Sequence, residues 1–281
     1  MGSELLETCN FKTKNYENDI DEANFNHKIN ARRYDAPLYI GIPSKIIIIA
    51  STPRSGSNLF ISGLQSISLM EKSSEFFNGL DIADYKLRWG NDISKDEYVK
   101  KLFMHRTTPQ GLFIAKCHYK QFSEYSNTLM KYKCKFISIS RRNMICQAIS
   151  LYIARYITRS WWSFRSIEKA WRSIDDKIRN ASYDDYSFDG ILKEYHYLDT
   201  ENKLWNNFFR ANSINPITTV WYEELSAHYS EVIATVAMQI TGTPFSRLQI
   251  PPPELKKQAD DVSEYFYRRF IDDVQSHRLI R

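Results

Sequence analysis

At Lys45 the alternation of apolar and polar positions changes abruptly. Ile46-Ile47-Ile48-Ile49 is an unbroken β-branched run, the pattern of a strand buried on both faces of a parallel sheet. The breaker cluster Ser51-Thr52-Pro53 ends it, and Asn58-Leu59-Phe60-Ile61 and Leu64 follow with helical spacing. The first unit is therefore strand, tight turn, helix. Short apolar or β-branched runs predict further strands at Leu112–Lys116, Lys135–Ile139 and Ile217–Trp221. Helical periodicity predicts Met144–Thr158, Ser163–Lys177, Ile191–Ala211 and Ser226–Thr241, the last with Ser226 as N-cap and Gly242 as stop. Pro251-Pro252-Pro253 breaks the chain before a final helix near Ser263–Val274. Strands alternating with helices predict an α/β fold, with a mostly parallel central sheet flanked by helices. Residues 1–44 are polar and asparagine-rich, and are expected to form an N-terminal extension to one domain spanning 45–281.

Composition narrows the class. Of 281 residues, 43% are apolar and 25% charged, enough for a sizeable core and too apolar for a disordered chain. The net charge of +5 hides a split. Lys116 to Arg172 holds twelve Lys/Arg against Glu124 and Glu168, a local +10, which leaves the rest at −5. A local positive field points to an anionic ligand rather than a uniformly basic nucleic-acid coat. Cys9, Cys117, Cys134 and Cys146 lack the short paired spacings of a zinc cluster or disulfide framework, and read as reduced cysteines of a cytoplasmic protein. No apolar run approaches the ~20 residues that span a bilayer, so any membrane contact is expected to be peripheral.

The turn Ser51-Thr52-Pro53-Arg54-Ser55-Gly56-Ser57-Asn58 joins a buried strand to a helix start. Backbone N–H groups there point outward with partial positive charge, a ready anion site. Gly56 permits close approach, and Arg54, Ser55, Ser57 and Asn58 add donors. A solvent-capped βα turn, in which Ser and Asn serve as ordinary N-caps, is the plain alternative. The turn is not a Walker A loop, because no Lys follows Gly56, and the strand ending at Ile139 leads to Ser140-Arg141-Arg142 rather than a metal-holding Asp. Arginines and amides, not a metal ion, are expected to neutralise the ligand, which argues against an ATP kinase or GTPase.

Thr52-Pro53-Arg54-Ser55-Gly56-Ser57 resembles the 5′-phosphosulfate loop of sulfotransferases that use 3′-phosphoadenosine 5′-phosphosulfate (PAPS), above all the bacterial trehalose 2-sulfotransferase type. Glu75-Phe76-Phe77, Arg141 with Gln147-Ala148-Ile149-Ser150, and Gln258-Ala259-Asp260 resemble later segments of that type in the same order, over about residues 46–270. The resemblance implies a P-loop-like three-layer fold and sulfuryl transfer from PAPS to an acceptor hydroxyl, leaving 3′,5′-adenosine bisphosphate (PAP), with no metal. It implies that residues 52–58 hold the phosphosulfate, that Arg54 lies beside the bridging oxygen, and that Arg141 and Ser150 hold the 3′-phosphate. It further implies a small-molecule or glycan acceptor, on a carbohydrate or glycolipid, and a possible homodimer, with no nucleic acid.

Two residues compete as general base. Glu75 matches the carboxylate of the bacterial type, and its apolar neighbours Phe76-Phe77 are expected to raise its pKa. His118, in Lys116-Cys117-His118, resembles the Lys-x-His of cytosolic sulfotransferases. Tyr152, Tyr156, Trp161, Trp162, Phe164 and Trp171 lie among Arg155, Arg159 and Arg165, as core, acceptor platform or dimer interface. Trp221-Tyr222-Glu223-Glu224-Leu225 reads as structural, and Lys256-Lys257 as a solvated pair or nucleotide contact. A divergent nucleotide kinase and a non-catalytic nucleotide-binding module are the rival functions.

Overall fold

A computed structural model describes residues 38–70, 75–158, 180–253, 255 and 260–279. Four parallel strands form one sheet in the order β2-β1-β3-β4: β1 (Lys45–Ser51), β2 (Leu112–Cys117), β3 (Cys134–Ser140) and β4 (Thr218–Trp221). The isoleucine run is the central strand. Ile47 pairs with Ile114 of β2 and with Lys135 of β3, and Ile46 through Ile49 are each less than 5% exposed.

Alternation along β1 divides the core. Ile46 and Ile48 enter an aromatic layer with Phe76, Phe103, Phe113, Phe122 and Trp205, while Ile47 and Ile49 face an aliphatic layer with Leu64, Ile137 and Ile233. The aromatic side is covered by α2 (Gly79–Trp89), α3 (Lys95–Arg106), α4 (Tyr119–Leu129) and part of α6 (Phe188–Ala211). The aliphatic side is covered by α1 (Ser57–Ser66) and α8 (Tyr229–Thr241). A third cluster joins α5 (Met144–Tyr152), α6 and α9 (Asp261–Leu279) beside the sheet. The expected α/β architecture is observed. Among the described residues no helix is long and apolar enough to cross a membrane.

Several boundaries differ from the sequence reading. The helix expected through Thr158 ends as α-helix at Tyr152 and continues as one π turn, Ile153–Ile157, where the Thr158 N–H reaches the Ile153 carbonyl. Ser226 is not an N-cap. It lies inside a short helix, α7 (Tyr222–Ala227), that starts directly after β4, and His228 precedes α8. Gly242 does stop α8, at φ +81°. Ser187 caps α6 through the Gly190 N–H, three residues before the expected start. The helix expected at Ser163–Lys177 lies outside the described residues.

Because all strands are parallel, Ser51, Cys117 and Ser140 end at one edge, and the residues after them face one another. Such a carboxyl edge is where open α/β sheets bind ligands.

Candidate active site

The turn after β1 is shaped by two unusual backbones. Gly56 has φ +89°, and a Cβ there would lie 2.6 Å from Cδ2 of Tyr222, so both conformation and space require glycine. Arg54 has φ +60°, costly for a residue with a side chain. Its Nε donates to Ser150 Oγ at 3.0 Å, which anchors it to α5. Gln147, 1% exposed, holds the turn from the same helix: its Nε2 donates to Thr52 Oγ1 at 2.9 Å and to the Pro53 carbonyl at 2.6 Å.

The N-cap of the following helix falls on neither a serine of the turn nor Asn58. Gly56 is the N-cap of α1, no side chain caps that helix, and its first turn contains no acidic residue. The Ser55 hydroxyl is buried with no hydrogen-bond partner among the described residues. Free first-turn N–H groups and an orphaned buried hydroxyl leave hydrogen bonds for an anion.

Arg141 follows β3. Its guanidinium lies 4.5 Å from the Tyr222 ring centroid, and its buried Nε lacks a partner among the described residues. The Arg54 guanidinium is pushed below its ordinary pKa, first by burial and then by the charge of Arg141. A cavity of about 340 Å³ opens beside Arg141, which lines it with Asn143, Cys146, Tyr222, Glu223 and neighbours. Arg142 is exposed, stacks over Trp221 and pairs with Glu224. Glu223 accepts the Arg142 and Asn143 N–H groups at 3.1 Å each, and Asn143 Oδ1 accepts the Cys146 N–H at 2.9 Å.

The two candidate bases meet across β2. Lys116, 2% exposed, donates from Nζ to Asn58 Oδ1 at 2.8 Å and forms an ion pair with Glu75, whose side chain is one-third exposed. The expected rise in the Glu75 pKa is corrected. Burial does push it up, but Lys116, His118 and hydrogen bonds from Lys116 and Asn78 outweigh that push, and the net shift is downward. Burial first and Lys116 second lower His118 to about 4. Its Nδ1 lies 3.2 Å from the Ser51 carbonyl, which also accepts Trp205 Nε1–H. A carbonyl can only accept, so Nδ1 carries the proton and Nε2 keeps its lone pair. Asp81, on α2, is raised to about 7 by burial and then by the charge of Glu75.

The structure thus brings the 52–58 turn, Arg141 and Ser150 together, and joins Glu75 to His118 through Lys116. Two participants, Lys116 and Gln147, carried no role of their own in the sequence reading, and Tyr222 read as structural. A lysine inside a strand predicted to be buried was the available signal, since a buried ammonium requires partners. Trp161, Trp162, Phe164, Trp171, Arg159, Arg165, Lys256, Lys257 and Gln258 lie outside the described residues.

Comparison with known proteins identifies the family. The Stf0 sulphotransferase family model matches residues 125–273, more than half of the 281-residue chain. Trehalose 2-sulfotransferase of Mycolicibacterium smegmatis is 22% identical over 272 residues, covering 84% of this chain and 98% of the relative. Among solved structures, a sulfotransferase from Alicyclobacillus acidocaldarius is 14% identical with a TM-score of 0.36, covering 83% of this chain and 94% of its own. Mouse sulfotransferase SULT7A1 complexed with PAP is also 14% identical, with a TM-score of 0.41, over 87% of this chain and 86% of its own. The chain belongs to the Stf0 sulphotransferase family and is a sulfotransferase.

Proposed function

We propose that the donor is PAPS and that the acceptor is a hydroxyl of a carbohydrate or glycolipid. One observation carries the donor reading. Burial and then the charge of Arg141 push the Arg54 pKa down at the carboxyl edge, beside a buried Ser55 hydroxyl and an Arg141 Nε that have no hydrogen-bond partner among the described residues, and a helix start whose N-cap is glycine. Neighbouring like charges are relieved by an anion of multiple charge. In this reading residues 52–58 grip the phosphosulfate. Arg141, with Ser150 in support, faces the 3′-phosphate, and Tyr222 lines the nucleoside end of the cavity. The carbohydrate acceptor rests on the trehalose enzyme among the relatives.

The acceptor oxygen forms a bond to sulfur while the sulfur–oxygen bond to phosphate breaks, and its electron pair stays on the phosphate. Arg54 stabilises that developing charge. Glu75 takes the acceptor proton, its carboxylate ionised and partly open to solvent. His118 is the second candidate, favoured by its free Nε2 and its neutral ring. Guanidinium groups and backbone amides do the work that a metal ion does in kinases.

A thermal unfolding series tests the donor. PAP should raise the melting temperature, because a ligand that binds only the folded state stabilises it, and ATP with Mg²⁺ should do so less. Stabilisation by ATP–Mg²⁺ alone would return the nucleotide kinase, and stabilisation by neither would remove the nucleotide. For the base, Glu75→Gln should abolish sulfate transfer from PAPS to trehalose or a panel of glycans. Normal turnover in Glu75→Gln together with loss in His118→Ala would transfer the role to His118.

A further inference from the structure

Lys116 touches both halves of the site. It lies on β2 beside Ile49 of β1, one position before the end of that ladder. Its side chain is 2% exposed, so its ammonium is out of water and directed by its partners. One partner is Asn58 Oδ1, in the first turn of the helix that follows the phosphosulfate turn, and the other is the Glu75 carboxylate. Two residues on, His118 is turned by the Ser51 carbonyl.

We propose that Lys116 is a positioning residue: its ammonium, clamped between Asn58 and Glu75, aims the Glu75 carboxylate and makes its charge state depend on the donor turn. The proposal rests on the reading of Glu75 as the base. Among the described residues, three charged or titratable groups face Glu75: Lys116 and His118 from β2 and its end, and Asp81 from α2, with the Asn78 amide between. Of these, Lys116 is the cation in contact with it. Burial first and the same ammonium second disfavour a charged His118, so the cation that holds Glu75 ionised also favours a neutral His118, the proton-accepting form of each. An anion at the turn competes for that ammonium. Donor binding therefore loosens the ion pair and makes Glu75 more basic at the moment a proton must be taken.

The test is a carbon-13 titration of glutamate carboxyls in the full chain, with the Glu75 signal assigned by its loss in Glu75→Gln. In the wild type, saturating PAP should move the Glu75 midpoint upward. Linkage is reciprocal, so PAP affinity should change with Glu75 protonation by the same factor. Lys116→Met keeps the buried stem and removes the charge; it should raise the Glu75 midpoint by at least about one unit, a tenfold change in its acid dissociation. Lys116→Arg should hold the midpoint low. An unmoved Glu75 signal in Lys116→Met, or in the wild type on adding PAP, overturns the proposal, and the wild-type measurement stands even where the variant does not fold. Normal sulfate transfer by Glu75→Gln would instead sink the base assignment, and the two titrations would still decide whether Lys116 sets the Glu75 charge.

Discussion

Two neighbouring strands, β1 and β3, end at the same edge and each leads into a helix, yet the helix starts are finished in opposite ways. At α1 the N-cap is Gly56 and no side chain accepts the first-turn N–H groups. At α5 Glu223 accepts the Arg142 and Asn143 N–H groups, and Asn143 caps Cys146. A carboxylate already occupies the place where an anion would meet the backbone of α5. The α5 side therefore contributes side chains alone, namely Arg141, Gln147 and Ser150, while the α1 side adds open backbone amides to the Arg54 and Ser55 side chains. The proposed donor site has one wall with amides and one wall of side chains only.

Substitutions should separate the two walls. Arg54→Ala should have the largest effect, lowering sulfate turnover by roughly 10²–10³-fold, the usual loss for one preorganised group at a developing charge; steady-state kinetics would show it chiefly in kcat. Gly56→Ala should destabilise the fold by about 1–2 kcal/mol from its left-handed backbone alone, more from the contact with Tyr222, and denaturant unfolding would measure it. Arg141→Ala should weaken PAP binding by about 10–100-fold, roughly 1.4–2.7 kcal/mol, read by calorimetry.

Glu223→Gln should cost about 1 kcal/mol of stability, the scale of a lost cap, with little change in PAP affinity. Its effect should depend on pH. Hydrogen bonds from the Arg142, Asn143 and Glu223 N–H groups, with help from Arg141, outweigh burial and hold Glu223 below the ordinary carboxylate range. The folded pKa is depressed, so the stabilisation is present above the unfolded value and is lost as pH falls through the folded one. Wild type and Glu223→Gln should therefore converge in stability in acid. Ser55→Ala should show the smallest effect: a stability change under about 0.5 kcal/mol, because its hydroxyl has no partner to lose, with a measurable drop in PAP affinity. If Glu223→Gln weakened PAP binding as strongly as Arg141→Ala, the contrast between the two walls would fail.

The sequence revealed what local chemistry controls. Ile46 to Ile49 announced the central strand because β-branched residues without polar interruption have few other uses, and the turn after them announced itself by its breakers. Helices α2 and α3 escaped notice although Asn78 and Ser94 cap them through the Asp81 and Glu97 N–H groups. Their mixed polarity hid the period, while Ser94 with Glu97 three residues on was the available cue. The site divided in the same way. Residues 52–58 were legible as one contiguous segment. Lys116 and Gln147 act on partners 41 and 94 to 95 positions away, and no spacing rule reaches that far. Tyr222 looked structural because its part, filling the space that Gly56 leaves, exists only after β1 and β4 enter one sheet.

The π turn Ile153–Ile157 amounts to one residue too many in a helix. Upstream of it, Gln147 and Ser150 keep their grip on the 52–58 turn. Within it, Arg155 and Tyr156 both reach Glu194, which is fully buried on α6. Removing a single residue there would restore ordinary winding and rotate everything after it by about 100°. That rotation would part Arg155 and Tyr156 from Glu194 while the upstream end of the helix kept its hold on the 52–58 turn. One added residue thus lets a single helix satisfy two sets of partners whose directions do not share its ordinary period.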